Sequence, residues 1–265
     1  MGVEMKIDST GLLKEDSSRI ATNLRTLLII EAVAASDEPL SPTEINKWVG
    51  LPKQSIHRLC QTLIDEGFLL RDHSGKKLIP SPRTMKLAQG LLGSRHHSLA
   101  RRQVLMRLSS ATRETVNYVL PEIDGMTYLD RVETDWIFRV ELPIGSRVPF
   151  HCTASGKVYL ASLSNRNLEK VLSTITYEAR TPNTIVSSDR LRREIETVRQ
   201  NGYAMDHQEL FEGMVALAVP IKDASGRFVA AVAFHGPTQR LTPEIMLGHL
   251  ETLQEGAAQL AALNA

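Results

Sequence analysis

Apolar residues recur at helical spacing near the start of the chain. Ile20, Leu24, Leu27 and Leu28 predict an amphipathic helix that ends before Asp37-Glu-Pro39. A second helix is predicted from Ser41. Ser41 is the expected N-cap, Pro42 sits at the first helical position, and Glu44 follows three residues on to complete a capping box. Ile45, Trp48 and Val49 fall at i, i+3, i+4 and predict an inward face, and Gly50 supplies the left-handed residue that stops the helix. The helix restarts at Pro52. Ile56, Leu59, Cys60, Leu63 and Ile64 then repeat at i, i+3, i+4, i+7, i+8 as one buried stripe. Phe68-Leu69-Leu70 and Leu78-Ile79 are short apolar runs around the polar turn Arg71-Asp-His-Ser-Gly-Lys-Lys77, which is the pattern of a β-hairpin. Three helices and a hairpin predict a winged helix-turn-helix over residues 19–80, preceded by a flexible polar tail over 1–18.

Two linker helices are predicted over 81–113. The first opens at Ser81-Pro82 and carries Met85, Leu87, Leu91 and Leu92. The segment Gly93-Ser-Arg-His-His-Ser98 interrupts the pattern, and Val104, Leu105, Leu108 and Ala111 resume it. Arg95, Arg101, Arg102, Arg107 and Arg113 predict a solvated face, with grazing contact to a DNA backbone as the other reading. From Thr115 onward the periodicity changes. Thr115–Leu120, Met126–Val132 and Ile137–Glu141 predict strands, with a turn at Asp124-Gly125. A helix is expected near Thr153 and another over Asp189–Gln200, with Gly202 just past its end. Met214–Ile221 and Phe228–His235 flank the hairpin turn Asp223-Ala-Ser-Gly226. A final helix is expected from Thr242-Pro243-Glu244 almost to the end. Hairpin-joined strands mixed with helices make 114–265 an α+β domain rather than a doubly wound sheet.

The outer face of the Pro52 helix carries Lys53, Gln54, Ser55, His57, Arg58 and Gln61, and no acidic residue interrupts it before Asp65. Arginine reads guanine bidentately and glutamine reads adenine, while lysine and serine hold phosphates or base edges. Ser41, Thr43, Lys76 and Lys77 complete the predicted DNA-contacting set. Over residues 41–86 there are eight Lys and Arg against four Asp and Glu, an excess of four in a chain whose net charge is only +1. That local excess is where phosphate contacts would be needed.

Composition narrows the class. With 265 residues, 42% hydrophobic and 23% charged, the chain has the balance of one or two globular domains rather than of a disordered protein. No run of about 18 apolar residues predicts a membrane span, and Glu4, Lys6 and Asp8 are not those of a signal peptide. The two cysteines, Cys60 and Cys152, fall in different predicted domains, so a reducing cytoplasm is expected. No enzyme, cofactor or metal site is expected. His151-Cys152 invites a thiol-hydrolase reading but lacks a local signature. Ala154-Ser-Gly-Lys157 lacks the upstream glycine of a phosphate loop, and Asp206, His207 and His235 have no metal-ligand spacing. A thiol-dependent hydrolase and a small-molecule sensor that does not bind DNA are the alternative readings.

Five stretches together resemble the IclR family of bacterial transcriptional regulators, a likeness that covers nearly the whole chain from about residue 19. They are Gly50–Leu59, Tyr128–Val132, Gly145–Lys157, Gly202–Glu209 and Val229–Pro237, in that order. The resemblance implies a winged helix-turn-helix joined by a helix to a C-terminal, GAF-like effector-binding domain. It implies homodimers, or dimers of dimers, on roughly palindromic operators of catabolic genes. A small organic or aromatic acid would tune a regulator that is more a repressor than an activator. Carried over residue by residue, the effector pocket would be lined by Ile137, Val140, Ala154, Ser155, Asp206, Met214, Ala216, Ala233 and His235.

The residues themselves add to this. Thr153 can cap the helix that follows it, leaving the N–H groups of Ala154, Ser155 and Gly156 to bind a carboxylate. The other reading of Gly156 is that it lets helix and sheet approach closely. Ala216, Ala233 and His235 stand where some relatives carry small hydroxyl or thiol residues. That predicts a roomier, more apolar pocket, in which His235 or Asp206 reads a polar substituent.

Overall fold

The computed structural model describes residues 20–36, 38–92, 95–137 and 142–263. The chain divides into two units at residues 94 and 95. The predicted tail over 1–18 lies outside the described residues.

In the first unit, helices α1 (Arg25–Ala34), α2 (Pro42–Val49) and α3 (Lys53–Asp65) precede an antiparallel hairpin of β1 (Leu69–Arg71) and β2 (Leu78–Pro80). Helix α4 (Pro82–Leu92) follows. The capping box forms as expected. Ser41 Oγ accepts the Glu44 N–H at 3.3 Å, and Glu44 Oε2 accepts the Ser41 N–H at 2.7 Å. Gly50 ends α2 with φ 70°. The Asn46 side chain then brackets the turn, donating to Leu51 C=O at 2.7 Å and accepting its N–H at 2.8 Å. The N–H and C=O of Leu51 are thereby satisfied, and its side chain is buried in the core. Ser41→Ala removes an acceptor that a helix start needs, and is expected to cost about 1 kcal/mol. In a thermal melt Ser41→Ala should lower the midpoint by a few degrees and Ser41→Thr should not; equal midpoints for both variants would discount the cap.

The core of this unit joins Ile29, Ala32 and Val33 of α1 to Ile45, Val49, Ile56, Cys60, Leu63, Leu69 and Leu78. Two expectations are corrected here. Trp48 is exposed, because the short α2 packs through Ile45 and Val49 and Trp48 lies beyond the edge of that contact. Leu24 and Leu27 are also exposed. Helix α1 begins only at Arg25, and its buried stripe is Ile29, Ala32 and Val33, offset from the predicted one. Leu40 bridges Leu78 through two backbone hydrogen bonds of 3.2 and 2.8 Å and so ties the start of β2, next to the turn, to the segment before α2.

The second unit opens with α5 (Arg95–Thr112); Gly93 and Ser94 of the predicted interruption lie outside the described residues. Then follow β3 (Thr115–Pro121), β4 (Met126–Val132), β5 (Arg147–Val148), α6 (Ala154–Ser162), α7 (Asn165–Thr174) and α8 (Ser188–Asn201). The chain continues through β6 (Ala204–His207), β7 (Met214–Lys222), β8 (Phe228–Pro237), α9 (Pro243–Gly248) and α10 (Leu250–Ala262). The six strands form one antiparallel sheet in the order β5-β4-β3-β8-β7-β6. Helix α6, backed by α8, packs on one face, and α5 and α10 pack on the other.

Alternation along the strands explains the two faces. Ala231 and Ala233 join the core under α6, whereas Phe234 points the other way and meets the edge of His249 at 5.9 Å between centroids. The predicted final helix is two, with His249 at the break between α9 and α10. Ile137 is exposed and outside any strand; residues 138–141, with Val140, lie outside the described residues. The solvated face expected of the α5 arginines is corrected at Arg101. It is buried, with Nε 3.0 Å from Asp130 Oδ2 on β4 and its guanidinium 5.1 Å from the Tyr118 ring.

Candidate nucleic-acid interface and ligand pocket

Helix α3 directs Ile56, Cys60 and Leu63 inward, which leaves Lys53, Gln54, His57 and Arg58 exposed on its other side and Ser55 half-buried. Thr43 is exposed on α2, while Ser41 is half-buried and engaged in the cap. In the hairpin, Lys76 is exposed, and Lys77 is half-buried with Nζ 3.9 Å from Glu44 Oε2. Burial pushes the Cys60 thiol up to about 11, so it behaves as a small core residue rather than a reactive one.

Gln61 is exposed as well, and its side chain is engaged within the chain. Its Nε2 donates to Asp65 Oδ1 at 2.7 Å and its Oε1 accepts from Arg71 Nη2 at 3.0 Å. Arg71 Nη1 also donates to Gly75 C=O at the hairpin tip, at 3.1 Å. One guanidinium thus ties the tip of the wing to the outer face of α3. The sequence showed Arg71 only as a charge beside the wing; its partner ten residues earlier becomes visible once α3 and β1 pack together.

A cavity lies in the second unit between the sheet and the start of α6. Cross-strand register forms its floor. Asp206 on β6 pairs with Ala216 on β7, which pairs with His235 on β8, so the three side chains share one face in a row. Ala233 and Asn117 are likewise paired across β8 and β3. Ala216 is small, and it leaves a gap between Asp206 and His235. Thr153, Ala154 and Ser155 close the cavity from α6, and Tyr128, Leu142, Leu210, Phe211, Met214 and Val215 complete the wall.

Most of the predicted pocket residues therefore come together, with three differences. Ile137 is not in the lining, and Val140 lies outside the described residues. Gly156 is not in the lining either, and its N–H is not open: it donates to Thr153 Oγ1 at 3.1 Å. A Cβ on Gly156 would stand 2.3 Å from the Phe150 carbonyl oxygen, so glycine is required there by close packing. The helix start thus offers the N–H groups of Ala154 and Ser155, with Thr153 Oγ1 as the cap.

The expected roominess is absent from this conformation. The cavity holds about 40 Å³, room for roughly three waters, although Ala216 and Ala233 both line it. Sequence reasoning missed Asn117. Its Nδ2 lies 2.9 Å from His235 Nδ1, and its buried Oδ1 has no hydrogen-bond partner among the described residues. That oxygen suits a donor on a ligand.

Beneath the cavity, Lys157 is fully buried between Glu209 Oε1 at 2.7 Å and Glu194 Oε1 at 2.9 Å. The His151-Cys152 pair is not a nucleophilic dyad. Burial pushes the Cys152 thiol up to about 12, and His151 Nε2 meets the Glu178 carbonyl at 3.1 Å. His207 is exposed, apart from Asp206 and His235 in the cavity.

A helix-turn-helix with an exposed cationic face, alongside an α+β unit built around a small cavity, defines a DNA-binding transcriptional regulator rather than an enzyme. Residues 92–262 match the model of the bacterial transcriptional regulator IclR C-terminal domain, and residues 24–73 match the IclR helix-turn-helix domain. The chain belongs to the IclR family, whose regulators bind DNA operators. It is 34% identical over 240 residues to the probable transcriptional regulator SauR of Cupriavidus necator, covering 91% of this chain and 95% of that one. It is 29% identical to the transcriptional repressor IclR of Escherichia coli, covering 86% and 84% respectively. The crystal structure of the Thermotoga maritima IclR has the same fold, with a TM-score of 0.61 at 26% identity, covering 91% of this chain and 97% of that one.

Proposed function

We propose that the chain is a repressor of a catabolic operon that releases its operator when a small organic acid enters the second unit. The observation that carries the acid reading is the cavity itself. Two helix N–H groups, Ala154 and Ser155, close it from one side, and an orphaned Asn117 oxygen lines it, so that a carboxylate with a hydroxyl or similar donor would satisfy both. On the DNA side, Lys53, Gln54, Ser55, His57 and Arg58 are the residues we assign to the major groove. Thr43, Lys76 and Lys77 are assigned to phosphates. Gln61 is assigned a supporting role through Arg71. Homodimers on roughly palindromic sites follow from the weak binding of a single module. The exposed Leu87 and Leu91, one turn apart on α4, offer apolar surface for self-association.

The test is fluorescence anisotropy on the DNA upstream of the chain's own gene, with and without a panel of aromatic and short-chain carboxylic acids. Saturable binding that one class of acid reverses is the expected result. Binding that no acid alters would remove the effector half of this reading, and absence of binding would remove the operator half.

A further inference from the structure

Among the described residues, the ionisable side chains that line the cavity are Tyr128, Asp206 and His235, with no lysine or arginine beside them. Asp206 is 5% exposed, and its Oδ1 accepts the Glu209 N–H at 2.6 Å. The charged or titratable groups around it come from every neighbouring element. Tyr128 projects from β4, Cys152 precedes α6, Lys157 lies on α6, Glu209 follows β6, and His235 stands two strands away on the same face. Of these, Lys157 is the cation, and Glu209 and Glu194 already hold its ammonium. Asp206 lines the same small cavity as Ala154 and Ser155, so a carboxylate held by their N–H groups lies near it. Two anions cannot share so small a space away from water.

We propose that a carboxylate ligand enters this cavity together with one proton, which Asp206 holds while the ligand is bound. This rests on reading the cavity as an acid site. Ligand carboxylate, Asp206 carboxylate and one hydronium ion become a complex in which the Asp206 carboxyl donates a hydrogen bond to the ligand. One water is released, and no bond to carbon changes. Asp206 then selects acids over amides or esters of the same shape, because only an anion accepts strongly from both the helix N–H groups and a neutral carboxyl. Burial, opposed by the Glu209 N–H, pushes Asp206 up to about 7 in the empty cavity. Below that value the site is already protonated. Above it, each ligand must bring a proton, so affinity falls by up to tenfold for each unit of pH.

The test is calorimetry on the full chain with benzoate, 4-hydroxybenzoate and pyruvate, in buffers of different ionisation enthalpy at about pH 6 and about pH 8.5. Uptake close to one proton per ligand at the higher pH and close to none at the lower is expected. Asp206→Asn keeps the acceptor for the Glu209 N–H and adds a permanent donor. It should bind the same acid with no proton uptake and at least tenfold more tightly than the parent at the higher pH. Circular dichroism checks that this variant folds, and the parent's buffer dependence stands without it. Binding by the parent without proton uptake would overturn the proposal. So would uptake that persists in Asp206→Asn and vanishes in His235→Gln, since the ring would then be the proton's holder. If none of the acids binds while DNA is still bound, the acid reading of the cavity fails, and this inference with it.

Discussion

Replacing Lys53 and Arg58 together with alanine is expected to leave a folded protein that no longer binds its operator at physiological salt. Both side chains are exposed on α3, so the fold should tolerate their loss. In its proposed role as a base reader, Arg58 is expected to contribute roughly 1–3 kcal/mol in each half-site, an amount lost twice in the proposed dimer. Lys53, as a phosphate contact, contributes mainly through counterion release. Its single replacement should lower the slope of log affinity against log salt by about one per subunit. The two roles separate experimentally. Arg58→Ala should weaken binding to the operator more than to random DNA, whereas Lys53→Ala should weaken both alike. Arg58→Lys should not recover the specificity, because an ammonium lacks the planar fork. Unchanged anisotropy titrations for the double variant would take α3 out of the interface.

The second large effect is on stability. Lys157→Met should lower the free energy of unfolding by about 3–5 kcal/mol, because it leaves the Glu209 carboxylate buried without its cation. The Lys157 side chain is wholly buried and Glu209 is 4% exposed, so solvent screening does not soften the loss. Desolvation acts against the ammonium, but the two carboxylates outweigh it and raise its proton affinity. The companion variant is Lys157→Met with Glu209→Gln, in which both charges are gone. It should regain most of the stability in urea unfolding, because the carboxylate still left without a cation, Glu194, is 31% exposed and reaches water. A double variant no better than the single one would show that packing, rather than charge, makes Lys157 important. Because the Glu209 N–H also holds Asp206, the single variant should disturb the cavity as well.

Signals that span three or four residues were legible in the chain. The Ser41–Glu44 box, the Gly50 stop and the Ile56–Cys60–Leu63 stripe each depend on neighbours within a turn or two, and the structure contains all three. Trp48 and Leu24 lie outside the buried face because periodicity states only that a face exists, while the packing partners decide how wide it is. Helix α7 carries local marks of the same kind, a Ser164 cap and Leu168 and Leu172 one turn apart, in a stretch where no element is predicted. Strand β6 is four residues long, too short for alternation to show.

The cavity was legible mainly through family resemblance, and for a physical reason. That Asp206, Ala216 and His235 form a row depends on the register of three strands, which no local pattern encodes. Asn117, Leu210 and Phe211 reach the cavity from other elements and left no mark in spacing. Gly156 was read in two ways, and the Phe150 carbonyl six residues earlier decides for close packing.

The Arg71 guanidinium, clasping Gly75 on one side and Gln61 on the other, sets a constraint on how this molecule can change. The Gly75 partner is a backbone carbonyl, so Arg71 and Gln61 are the two side chains that must change together if this contact is to be kept. A loop of different length between β1 and β2 would break the same clasp. The wing and the last turn of α3 are in that sense inherited as one piece.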